Sequence, residues 1–222
     1  MKDKILFHVH IPKTAGMHLW NYLSETKRNN TYRSHRQNCH KFGSDFKSKN
    51  LLDNTFSFCV VRNPWSRLYS AYNFMINGSE RPNSIGTRYL KMKRVNSFSD
   101  YLKFIDYEYE IKDLGNKKNN TNYRCTHDSL YHEPQYRWFM DVEGENIILD
   151  EIYQMENLNP LYEKLDNFYG EEKGTTAEYF NNKKSNVTKD KDDYRNNFNS
   201  NEVDIVLKHY KKDIEILNYT FE

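Results

Sequence analysis

The sequence predicts an α/β fold built on a mainly parallel sheet, on two observations. Strand-like runs alternate with helix-like runs along the chain. Two of the joints between them, "FHVHIPKTAGMHLWNYL" at 7–23 and "NTFSFCVVRNPWSRLYSAYNFMI" at 54–76, pass from strand period to helix period with almost no loop.

Each element follows from its residues. Ile5, Phe7, Val9 and Ile11 alternate with Leu6, His8 and His10, the period of a strand. Met17, Leu19, Trp20, Tyr22 and Leu23 then cluster as on a helix, so the change of period falls between Pro12 and Gly16. Residues 56–61 form a nearly continuous apolar run, the pattern of a strand covered on both faces. Asn63 is placed to cap the next helix, and Pro64 suits its first position, where a missing N–H costs nothing. Residues 97–105 read as a helix, "GNKKNNTNYRC" at 115–125 as a polar loop, and 146–149 as the next strand. In "NPLYEKLDNFYG", Asn159 is the expected cap, Pro160 the first helical residue and Gly170 the stop. Residues 181–200 are polar and read as a loop. From 201 to 219, Val203, Val206, Leu207, Tyr210, Ile214 and Leu217 share one stripe, which predicts a single amphipathic helix lying on the sheet.

The 222 residues show no compositional seam, so a single domain over 1–222 is expected. Hydrophobic residues make up only 37%, but 18 Tyr and 13 Phe supply enough buried area for an aromatic core. With 33 basic and 31 acidic side chains the net charge is +2, which argues against holding nucleic acid by overall charge; any anion site must be local. No signal peptide or membrane-spanning run is apparent, and Cys39, Cys59 and Cys125 lack the spacing of a disulfide framework or zinc site, so a cytoplasmic protein is expected. The sequons at Asn29, Asn77, Asn119, Asn186 and Asn218 are what an asparagine-rich chain contains by chance. Nothing in the sequence bears on oligomeric state.

A helix N-terminus at the carboxyl end of a parallel strand offers N–H groups and the positive end of a dipole to phosphate-like anions. In the first joint Lys13 and Thr14 form the Lys-Thr pair of a nucleotide loop, but the glycines that precede it in G-x-x-x-x-G-K-[ST] are absent and Gly16 follows instead. In the second, Arg62 precedes a proline-started helix that carries Arg67 and Ser70 on its first two turns; arginine suits bidentate phosphate recognition and a serine hydroxyl can donate to the same oxygens. Arg67 reads as a helix-surface ion pair. His8 and His10, two apart on a strand, read as core or as site lining.

These residues carry a resemblance. "HIPKTAG" at 10–16 resembles the 5′-phosphosulfate loop of carbohydrate sulfotransferases that use 3′-phosphoadenosine 5′-phosphosulfate (PAPS), and "FSFCVVRNPWSRLYSAYNF" at 56–74 resembles their 3′-phosphate motif. The likeness runs on through "PQYRWF", "ILDEIYQMENL" and "HYKKDIEILNYTF", in the manner of the heparan sulfate 2-O-sulfotransferases. It implies a P-loop-like three-layer fold, helices flanking a central mainly parallel sheet, and sulfuryl transfer to a carbohydrate or glycolipid hydroxyl. By matching positions, Lys13, Thr14, Ala15, Gly16, Met17 and His18 would surround the 5′-phosphosulfate, and Arg62 and Ser70 would hold the 3′-phosphate. Lys183 and Lys184 would belong to a nucleotide-covering loop over 181–200, and His132 and Gln135 to the acceptor side, with 77–135 as an acceptor-side insertion. The family usually has Thr-Ser after the glycine; Met17 and His18 remove those hydroxyls.

Sulfuryl transfer should pass through a loose, in-line transition state, so positioning and charge stabilisation dominate. Lys13 would neutralise charge on the departing phosphate oxygen. The transferred group carries less negative charge than a phosphoryl, so no metal is required in principle. The acceptor hydroxyl needs a base; the resemblance places a histidine between the joints, where "RSHRQNCHKF" supplies His35 and His40, spacing to the second motif favouring His35. Two other readings stand beside this one: a nucleotide kinase or related phosphotransferase, against which the missing Walker glycines count, and a non-catalytic nucleotide-binding module, to which the Met17-His18 departure lends weight.

Overall fold

The computed structural model describes residues 5–26, 31–34, 54–76, 94–119, 129–141, 143–183 and 193–222, and of 32–34, 111–119 and 129 the backbone alone. His35, His40 and Lys184 lie outside the described residues. The chain groups into two compact units, Met1–Arg62 with Arg137–Lys191, and Asn63–Tyr136 with Asp192–Glu222.

The first unit contains a four-stranded, wholly parallel sheet. β1 (Ile5–Val9), β2 (Thr31–Ser34), β3 (Thr55–Val61) and β4 (Glu151–Gln154) lie in the order β2-β1-β3-β4. Parallel neighbours require long crossovers, which is why helix-forming sequence separates the strands. β1 is buried from Leu6 to Val9, so both sets of its alternating residues are inside, His8 included. That is the burial of a sheet covered on both faces. β3 matches the strand expected at 56–61. The strand expected at 146–149 lies further on: Ile147 makes only an isolated antiparallel bridge to Met140. The side chain of Asp150 instead accepts from the backbone N–H and the hydroxyl of Ser57, 2.7 Å each, and the ladder along β3 starts beyond it, at Glu151.

Among the described residues, three longer helices and the short Tyr136–Phe139 helix accompany this sheet. α1 (Gly16–Glu25) follows β1 and buries Leu19, Tyr22 and Leu23. α4 (Asn159–Tyr169) and α5 (Thr175–Asn182) follow β4; the labels α2 and α3 belong to the second unit. In α4 the cap position falls on Leu158, one residue before the expected Asn159, while Gly170 ends the helix at φ 69°, where glycine escapes the Cβ penalty. α5, whose last two residues fall in the stretch expected to be a loop, is held at its start from outside. The buried Asp166 carboxylate accepts from the N–H groups of Gly174 (2.8 Å) and Thr176 (2.9 Å), and the Thr176 hydroxyl lies 2.9 Å from that of Tyr22. Leu6, Leu19, Leu23, Phe58, Leu161 and Phe180 meet in the core these elements enclose.

The second unit is helical. α2 (Pro64–Ile76) starts as expected, with Asn63 Oδ1 accepting from the N–H groups of Trp65 (3.1 Å) and Ser66 (3.3 Å). α3 (Phe98–Asn119) is capped by the Ser97 hydroxyl and runs well past the predicted end, so 115–119 are helical rather than loop. Its Tyr101, Leu102 and Ile105 pack with Trp65, Leu68 and Val206. The single helix predicted for 201–219 is two, α6 (Ser200–His209) and α7 (Lys211–Leu217), broken at Tyr210. Of its apolar stripe, Val203, Val206, Tyr210 and Ile214 pack with α2 and α3 in the core of this unit, while Leu207 is exposed. The loop reading of 181–200 also fails in its last third: Tyr194 and Phe198 pack edge-on against Phe221, and Asn199 with Glu202 forms a capping box. Two aromatics in a polar run are enough to order it.

Arg67 differs most from expectation. Instead of a surface ion pair it is fully buried, its guanidinium donating to the carbonyls of Glu133 (2.8 Å) and Leu130 (3.3 Å).

Candidate active site

The turn between β1 and α1 is built under strain. Lys13 and Ala15 both adopt left-handed backbone conformations, φ 70° and 60°, which for residues carrying a Cβ cost about 1–3 kcal/mol each. Such a turn persists only if its surroundings enforce it. The buried Thr14 hydroxyl donates to the carbonyl of Ile11 (2.9 Å), bracing it from inside, and Arg62, next in the chain after β3, donates to the carbonyl of Lys13 (3.4 Å).

Gly16 completes the turn. A Cβ there would run into the imidazole of His10, so that ring lies directly against the first residue of α1. Gly16→Ala should therefore displace either His10 or the helix start, at a cost of about 1–3 kcal/mol. Urea unfolding of the variant checks this; an unchanged midpoint would show that the ring moves aside freely.

The turn carries positive charge and positive dipole together. No side-chain oxygen caps α1, and no acidic residue stands in its first turn, so the positive end of its dipole is not offset there. Burial, and after it the neighbouring Arg62 charge, push the Lys13 ammonium down to about 8. A lysine that loses its proton this readily is one whose charge an incoming anion would stabilise.

Met17 is exposed, whereas His18 is half-buried with its ring 4.5 Å from that of Phe180. Burial lowers the His18 pKa, favouring neutral imidazole at pH 7. Beside it opens an apolar recess lined by Ala15, His18, Leu19, Val60, Tyr162 and Phe180, the last two rings stacked 4.7 Å apart. The residues that end the turn thus begin an aromatic recess. The sequence hid this, because Tyr162 and Phe180 come from distant helices; the run "EYFNNKK" just before the matched lysines was the only local hint.

The remaining expected residues are distributed as follows. Lys183 stands at the end of α5, exposed, ion-paired with Glu25 and with its ammonium 4.9 Å from the Tyr179 ring centre. Ser70 is half-buried on α2 in the second unit, as are His132 and Gln135, both fully buried, in the segment 129–136. β2 ends at Ser34, paired with Val9; His35 is the next residue in the chain. Among the described residues no group of His, Cys, Asp or Glu is arranged to hold a metal ion, and no helix is long and apolar enough to cross a membrane.

A parallel sheet carrying a strained Lys-Thr turn into a helix, with an arginine at the end of the adjacent strand, defines an α/β protein with a positively charged strand-to-helix turn. A family model described as "Sulfotransferase family" matches residues 1–220. The chain belongs to that family, and transfer of a sulfuryl group is the activity its membership supports. No curated protein and no solved structure matches the chain significantly.

Proposed function

We propose that the protein transfers the sulfuryl group of PAPS to a hydroxyl of a glycan or glycolipid, releasing adenosine 3′,5′-bisphosphate. The observation that carries this reading is the turn itself. Two non-glycine residues are held left-handed so that Lys13 stands at an uncapped helix start beside Arg62. That is backbone strain kept where an anion is to be gripped.

In this reading the N–H groups of Gly16, Met17 and His18 receive the 5′-phosphosulfate oxygens, so the backbone takes over from the hydroxyls that Met17 and His18 lack. Arg62 and Ser70 serve the 3′-phosphate, and Lys183 and Lys184 belong to the cover. The segment 129–136, with His132 and Gln135, serves the acceptor. The acceptor oxygen forms its bond to sulfur as the sulfur–oxygen bond to the phosphate breaks; the acceptor proton passes to a histidine, and Lys13 stabilises the departing oxygen. His35 follows the carboxyl end of β2, the edge of a parallel sheet where ligands bind, which favours it over His40 as the base. These side chains supply the positive charge needed, so the reading requires no metal.

Calorimetric titration with adenosine 3′,5′-bisphosphate, beside ATP and AMP, tests it. Selective binding of the bisphosphate is expected; preference for ATP would favour a phosphotransferase, and no binding by a folded sample a chain whose motifs serve another purpose.

A further inference from the structure

The segment 129–136 has one helical turn and no strand partner, yet its backbone is held at five successive points by buried side chains. Arg67 of α2 donates to the carbonyls of Leu130 and Glu133. The hydroxyls of Tyr109, on α3, and Tyr210, between α6 and α7, both donate to the carbonyl of His132, the former at 3.1 Å. The N–H groups of Gln135 and Tyr136 donate to the two carboxylate oxygens of Asp213 on α7, 2.7 Å each. The His132 imidazole is fully buried, its Nε2 3.5 Å from a Glu108 carboxylate oxygen and its ring in T-shaped contact with Tyr101 and Phe104. Side chains from α2, α3, α7 and the break at Tyr210 converge on one short segment.

Burying a guanidinium and a carboxylate is costly, and apolar side chains would fill the same space more cheaply. What the charged pair supplies instead is direction: it satisfies particular carbonyls and N–H groups and so selects one backbone conformation. His132 and Gln135 face inward, while Tyr131 and Tyr136 at either side are half-exposed and keep aromatic surface available.

We infer that Arg67 is a positioning residue for the acceptor step. It holds 129–136 as a rigid platform from below, and His132 and Gln135 serve the acceptor through the shape of that platform rather than by touching the sugar. The inference rests on the sulfotransferase reading above for the identity of the step, and on the hydrogen bonds alone for the positioning.

The test compares Arg67→Met with Arg67→Lys, which keeps a donor for one carbonyl. Amide hydrogen exchange reads the platform, bisphosphate calorimetry reads the donor site, and the partition of labelled sulfate between chemically desulfated heparin and water reads the acceptor step. In Arg67→Met, exchange across 130–136 should quicken at least about tenfold. Bisphosphate affinity should stay within about threefold. Transfer to the polysaccharide relative to water should fall by about 10- to 100-fold, as a misplacement of about an ångström does elsewhere. Arg67→Lys should recover part of both changes. Unchanged exchange overturns the positioning role; faster exchange with an unchanged partition overturns its link to the acceptor; a parallel fall in bisphosphate affinity and transfer means a general loss of structure and overturns both. If Arg67→Met does not fold, Tyr210→Phe, which removes one of the two hydroxyls on the His132 carbonyl, carries the same readouts with smaller changes expected. A wild-type chain that binds no bisphosphate defeats the donor reading, and the exchange result still decides the platform.

Discussion

Replacing Lys13 by alanine should lower turnover by about 10²–10³-fold while weakening adenosine 3′,5′-bisphosphate by about tenfold or less. The split follows from where the ammonium stands. In the proposed mechanism it helps hold the 5′-phosphate in the ground state, but its larger contribution comes as the bridging oxygen gains charge. Steady-state kinetics beside calorimetry would separate the two; equal losses in both would make Lys13 a binding residue only.

The same lysine sets a pH dependence. In the free protein its pKa is lowered to about 8 from an ordinary 10.5, so between these values the folded chain binds fewer protons than the unfolded one. Stability from this group therefore rises with pH through that window, and at pH 7 the buried ammonium is a cost. A bound phosphosulfate favours the charged form and raises the pKa again. Affinity should be level below about pH 7 and decline above about pH 8, approaching tenfold per unit, with proton uptake on binding. Titrations in buffers of different ionisation enthalpy would detect that uptake, and Lys13→Ala should abolish it.

Asp213→Ala should cost about 3–5 kcal/mol of stability at pH 7, the largest loss expected from any single side chain outside the apolar core. The substitution leaves the N–H groups of Gln135 and Tyr136 without their acceptor and removes a negative charge from the neighbourhood of the Arg67 guanidinium. Burial raises the Asp213 pKa to about 6, against the opposing pull of those N–H groups and of Arg67. Because the folded pKa exceeds the unfolded 3.8, the folded chain binds more protons between these values, and the group's contribution grows as pH falls through about 6 toward 4. The stability gap between wild type and Asp213→Ala should thus widen on acidification, by at most about 1.4 kcal/mol per unit. Urea unfolding at pH 7 and pH 5 measures it; a gap that narrows would place the titration elsewhere.

The site and its frame differ in how openly the sequence displays them. β1, β3 and the starts of α1 and α2 were legible because each signal is local: a period, a cap, a proline, a Lys-Thr-Ala-Gly turn. The strand at Glu151–Gln154 lies five residues beyond its expected place because Ile147, Ile148 and Leu149 are the more apolar run; pairing with β3 decides the matter, and apolarity does not. The break at Tyr210 was invisible because the apolar stripe continues through it, although the ring turns inward to bond the His132 carbonyl.

What the sequence determined by itself is the family, the parallel α/β order and the place of the turn, since a strand period, a Lys-Thr-Ala-Gly run and a helix period are all read from neighbours in the chain. What only the tertiary structure decided is the surroundings: the His10 ring that lies where a Cβ on Gly16 would stand, the recess joining His18 to Tyr162 and Phe180, and the burial of Arg67 beneath 129–136. Those depend on groups 6 to more than 100 positions apart in the chain. Whether an arginine on a helix faces water or a carbonyl is set by what packs over it, and no local pattern of residues encodes that.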